Sequence, residues 1–81
     1  MEIKILENKN IIIDRKDIER KFLVKNDFIS GTFIKNYFVY ESCNYFENIE
    51  KYKDIEDIEN NMLYYHEFTN FEDLLKSIQE E

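Results

Sequence analysis

At 81 residues the chain has room for one small domain, 1–81, and its 43% hydrophobic and 16% aromatic content separates it from disordered sequences. A single glycine, Gly31, and no proline exclude a phosphate-binding loop, a dinucleotide fingerprint and an EF-hand, each of which needs glycine where backbone turns sharply or approaches a ligand. The net charge of −7 is uneven: residues 1–40 hold eight Lys/Arg and six Asp/Glu, residues 41–81 three Lys and twelve Asp/Glu. That acidic second half disfavours direct nucleic-acid and membrane partners and favours a basic protein.

Glu2, Lys4, Glu7 and Lys9 interrupt the first ten residues, unlike a signal peptide, and the longest aliphatic run, Ile11–Ile13, is far below the roughly 20 residues of a membrane helix. Ile3 and Ile5 alternating with Glu2 and Lys4 read as a first strand, Asn8–Asn10 as a turn, and Ile11–Ile13 as a second strand pairing back. Residues 15–25 fit two patterns. Asp14 caps a short helix carrying Ile18 and Phe22, or Phe22-Leu23-Val24 forms a strand.

Ser30-Gly31 reads as a tight turn between Phe28-Ile29 and Thr32-Phe33-Ile34, and Tyr37–Tyr40 as a strand buried on both faces. Asn44 with Glu47 has capping-box spacing and predicts a helix bearing Tyr45, Ile49 and Tyr52 on one face. Its apolar phase fails near Asp54, which is expected to cap a second short helix through Ile58. Asn60-Asn61 reads as a turn and Met62–Phe68 as a strand. Thr69 and Glu72 form a second capping box before Phe71, Leu74, Leu75 and Ile78, the stripe of a last helix. The sum is an α+β fold, a small antiparallel sheet of four to five strands covered by two or three helices.

Chemistry has few candidates. One cysteine, Cys43, excludes an internal disulfide, and a nucleophilic dyad would have to pair it with the one histidine, His66, with no orienting third group in sight. A buried thiol and a partly exposed strand histidine describe both residues. Structural zinc needs four Cys/His ligands, and His66-Glu67-Phe68-Thr69-Asn70 lacks the second histidine of a metalloprotease motif. Asp54, Glu56, Asp57 and Glu59 have the oxygens for Mg²⁺, but acidic runs of this kind are ordinarily solvated faces. No catalytic residue, metal site or cofactor is assigned.

Thirteen Phe and Tyr are many for this length. Phe33, Phe38, Phe46 and Phe71 are expected in the core. Tyr37, Tyr40, Tyr45, Tyr52, Tyr64 and Tyr65 are too many to bury, and surface tyrosine is enriched at protein interfaces. Glu47, Glu50, Asp54 and Asp57 fall at i, i+3, i+7 and i+10. On a helix they would form a stripe with axial steps of about 4.5–6 Å, close to the roughly 7 Å between strand phosphates. The expected partner-binding set is Glu47, Glu50, Asp54, Glu56, Asp57, Tyr52, Tyr64 and Tyr65, and the expected partner is a basic nucleic-acid enzyme. No expectation is set for the oligomeric state.

In size, acidity and compactness the chain resembles the small acidic phage-encoded inhibitors of the anti-CRISPR type. That resemblance rests on no shared motif and implies a non-enzymatic inhibitor that blocks a nucleic-acid-binding surface. An immunity protein or antitoxin against a nuclease toxin uses the same electrostatics, and a small assembly subunit would use the tyrosines instead. Twelve Ile, nine Asn and no Ala suggest AT-rich coding DNA. The expected setting is the cytoplasm of a bacterial or phage-infected cell.

Overall fold

The computed structural model describes residues 1–28 and 35–81. Five strands, β1 (Glu2–Ile5), β2 (Ile11–Arg15), β3 (Arg20–Phe28), β4 (Lys35–Ser42) and β5 (Met62–Phe68), form one antiparallel meander in the order β1-β2-β3-β4-β5. Helix α1 (Ile55–Asn61) follows a single 3₁₀ turn, Ile49–Lys51, and helix α2 (Phe71–Gln79) follows β5. This is the expected α+β class. No helix of the described residues is long and apolar enough to cross a membrane.

The central strands are buried on both faces, so their sequence is continuously apolar rather than alternating. Ile11, Ile13, Phe22, Val24 and Val39 face α2 and pack under Leu74 and Ile78. Ile12, Leu23 and Tyr40 face the opposite way, under Ile49, Tyr52, Ile58 and Met62. The sheet is therefore the middle layer, with α2 on its first face and the β4–β5 connection on its second.

That requirement decides residues 15–25 in favour of the strand. A helix would bury one stripe, Ile18 and Phe22, whereas the strand buries Phe22, Leu23 and Val24 together. Ile18 is exposed in the tight β2–β3 turn, where Glu19 takes a positive φ of 52°. Asp14 caps no helix; it accepts a hydrogen bond from the Tyr45 hydroxyl at 2.8 Å. The β1–β2 turn lies at Asn8–Asn10 as expected, but its left-handed residue is Lys9, at φ 72°, with the Asn8 side chain accepting from the Asn10 amide at 3.0 Å. The Ser30-Gly31 turn and Phe33 lie outside the described residues.

The helix expected from Asn44 does not form. The Asn44 side chain accepts from the Phe46 amide at 3.0 Å and Asn48 accepts from the Glu50 amide at 3.1 Å. Such local bonds offer the backbone an alternative to the helix, and what remains is the 3₁₀ turn Ile49–Lys51, capped by Asn48. Phe46, expected in the core, is 80% exposed, while Phe38 and Phe71 sit half-buried at its margins. Asp54 does cap α1, accepting from the Asp57 amide at 2.9 Å. Asn60-Asn61 is the end of α1 rather than a separate turn. α2 is capped by Asn70, which accepts from the amides of Glu72 and Asp73, so the Thr69–Glu72 box is displaced by one residue.

Candidate partner-binding surface

The expected site residues separate into two groups. Glu47 faces inward: it accepts from the Tyr52 hydroxyl and is paired with Lys51 at 3.1 Å, and these donors hold its carboxyl below the usual range. Glu50 is paired with Lys4 of β1 at 2.6 Å. Tyr52 is 8% exposed, because its ring fills the core beneath the connection. Tyr65 lies half-buried on the first face, its ring edge-on to Phe22 at 5.2 Å and its hydroxyl within 2.8–2.9 Å of Glu81 and Ser77. Because the helix is missing, Glu47 and Glu50 do not continue the acidic row of Asp54 and Asp57. The Glu50 carboxylate is spent on holding the connection to the sheet, and that of Glu47 on bracing the connection itself.

The second group remains open. Asp54, Glu56 and Asp57 are exposed around the first turn of α1, where carboxylates complement the helix dipole. Tyr64 is 57% exposed on the second face of the sheet. From Asp54 to Glu67 the chain carries five acidic residues and no Lys or Arg.

Tyr64 owes its position to a β-bulge. Val39 pairs with His66 and Tyr40 with Tyr64, so Tyr65 is the extra residue of β5. Such a bulge re-aims side chains: it sends Tyr65 towards Phe22 and Tyr64 to the opposite face beside Tyr40, their rings edge to face at 5.6 Å. In the next register row Lys25, Phe38 and Glu67 follow one another across β3, β4 and β5. With Glu59 from α1, these rows make a trough of about 520 Å³ lined by Phe38, Tyr40, Met62, Tyr64, Glu59 and Glu67. Burial, followed by the nearby Glu59 carboxylate, pushes the Tyr40 phenol up; burial and then Glu67 do the same to Tyr64.

A larger hollow of about 570 Å³ lies between β1–β3 and Phe46–Glu50. Its charges are satisfied internally, by the Lys4–Glu50 pair, the Tyr45–Asp14 hydrogen bond and the Lys21 ammonium donating to the Glu47 carbonyl at 3.4 Å. Hydrogen bonding to Asp14 and burial push the Tyr45 phenol up to about 12.

Cys43, expected to be buried, is exposed, its thiol 3.6 Å from the Asn61 carbonyl oxygen. His66 is exposed and stacks edge-on against Phe68 at 4.9 Å. Among the described residues no three His, Cys, Asp or Glu gather as a metal-holding group. Phe38, Tyr40, Glu59 and Glu67 were not among the expected partner-binding residues, since only the bulge and α1 bring them together. No protein-family model, curated protein or solved structure matches the chain.

Proposed function

We propose that this protein acts by binding: the acidic face of α1 with the adjoining second face of β5 docks on a basic surface of a nucleic-acid-handling enzyme and inhibits it. The observation that carries this reading is the run from Asp54 to Glu67, five carboxylates with no Lys or Arg, beside the exposed Ile55 and Tyr64. Acidic groups around an apolar or aromatic centre steer a cationic partner and then give it something to bury. On this reading the protein belongs functionally with the anti-CRISPR-type inhibitors it resembles in size and acidity. Glu47, Glu50, Tyr52 and Tyr65 then support the surface rather than touch the partner.

The test is capture of a target by the tagged chain from nuclease-treated host lysate, followed by affinity measurements against salt. Glu56→Lys with Asp57→Lys should weaken binding by about tenfold or more, and wild-type affinity should fall as salt screens the attraction. A captured nuclease toxin would make the protein an immunity factor. Affinity indifferent to both salt and charge reversal would refute the acidic-surface reading.

A further inference from the structure

The described structure repeatedly joins an aromatic ring, a carboxylate and a cation. Lys21 lies over Tyr45 at 5.0 Å while the Tyr45 hydroxyl bonds Asp14. Lys51 lies over Tyr52 at 5.1 Å and pairs with Glu47, to which Tyr52 also donates. Arg20 lies over Phe22 at 5.3 Å, grips Glu41 through two hydrogen bonds of 2.7–2.8 Å and reaches Glu81.

The trough has the same composition without a cation of its own. Tyr40 and Met62 are buried at its base, half-buried Phe38 and exposed Tyr64 flank them, and Glu59 and Glu67 complete the lining. Among the described residues no Lys or Arg lines it, pairs with either carboxylate or lies over its rings. Lys25, in the same register row as Phe38 and Glu67, lines the adjoining hollow with Phe38, Tyr40, Ile55 and Glu59, and among the described residues no ion pair joins it to Glu59 or Glu67. Fold stability does not account for Glu59, which sits in the second half of α1, where the helix dipole disfavours a carboxylate and no basic residue offsets it.

We propose that this trough is the receptor for one arginine side chain of the basic protein partner, an inference that rests on the binding reading above. A guanidinium is planar, stacks on aromatic rings and bonds carboxylates through a fork of donors, which matches two carboxylates beside an aromatic trough better than an ammonium does. The partner's arginine would sit among the trough's rings and carboxylates as Arg20 sits on Phe22 between Glu41 and Glu81 on the opposite face. In the partner it would be a residue that otherwise meets a phosphate.

Amide NMR of the intact protein tests this with a blocked Gly-Arg-Gly peptide and its lysine and citrulline counterparts. The expected result is saturable shifts centred on Phe38, Tyr40, Glu59, Tyr64 and Glu67 with the arginine peptide, weaker binding of lysine and none of citrulline. Glu59→Gln with Glu67→Gln should weaken arginine binding about tenfold or more, and Tyr64→Ala should erase the preference for arginine over lysine. Glu72→Gln with Asp73→Gln, on α2, should change nothing. Absent or scattered shifts, equal binding of all three peptides, lysine binding as well as arginine, or binding that survives Glu59→Gln/Glu67→Gln would overturn the assignment. A captured target lost on Glu56→Lys/Asp57→Lys but kept by Glu59→Gln/Glu67→Gln would remove the trough and leave the acidic-surface reading standing. Arginine seated in the trough with no acid-dependent target would do the reverse.

Discussion

Replacing Leu74 with alanine should cost this protein a large part of its stability, and replacing Leu63 should cost almost nothing, although both belong to the α2 side of the sheet. Leu74 is fully buried among Ile11, Ile13, Phe22, Val24, Val39 and Ile78, and with Ile78 it anchors α2. Leu63 pairs with Glu41 at the β5 edge and is 60% exposed. A buried leucine cut to alanine loses its transfer free energy and leaves a cavity, about 2–5 kcal/mol in all. An 81-residue domain holds about 4–12 kcal/mol. A loss near 3 kcal/mol would lower Tm by about 12–24 °C and shift the urea midpoint without changing the slope. Leu63→Ala should stay within about 0.5 kcal/mol. Urea titrations followed by far-UV circular dichroism measure both. Equal losses in the two variants would mean that α2 is not the lid of this face, and the layer assignment would fail.

The α2 cap separates two neighbouring residues: Asn70→Ala should cost about 1 kcal/mol and Thr69→Ala much less, read from the same melts, because only the Asn70 side chain satisfies the first amides. Equal effects would restore the cap to Thr69. Arg20→Gln should cost about 1–2 kcal/mol, since it removes a half-buried charged grip on Glu41 and Glu81. Acid provides a further check. Hydrogen bonds from Arg20 and then Tyr65 hold Glu81 below the usual carboxylate range, and those from Arg15 hold Asp17 down to about 2. Depressed carboxylates contribute stability above their unfolded values, near pH 4, and lose it as pH falls through the folded ones. The urea midpoint should therefore fall between about pH 4 and pH 2, less steeply in Arg20→Gln; an unchanged acid slope in that variant would count against the Glu81 contact.

Local chemistry alone determined a good part of this protein. Period-two alternation placed β1, the unbroken β-forming runs placed β2, β4 and β5, and the spacing of Phe71, Leu74, Leu75 and Ile78 placed α2, because those periods follow from backbone geometry. Asp54 was readable as the cap of α1, since its carboxylate bonds amides only a few residues away. Tertiary structure decided the rest. Residues 15–25 held helix and strand signals of equal strength until two-sided burial of Phe22, Leu23 and Val24 chose between them. The box at Asn44 was a real local signal, overridden by side-chain bonds and by the connection's attachment to Asp14, Lys21 and Lys4 across the sheet. Glu47, Glu50 and Tyr52 looked available because a sequence does not show which charges a chain spends on itself. The trough depends on one extra residue, Tyr65: a single-position shift of pairing exchanges the faces of a strand. Only the folded sheet brings Tyr64 beside Tyr40 and sets Glu67 and Glu59 on the same trough.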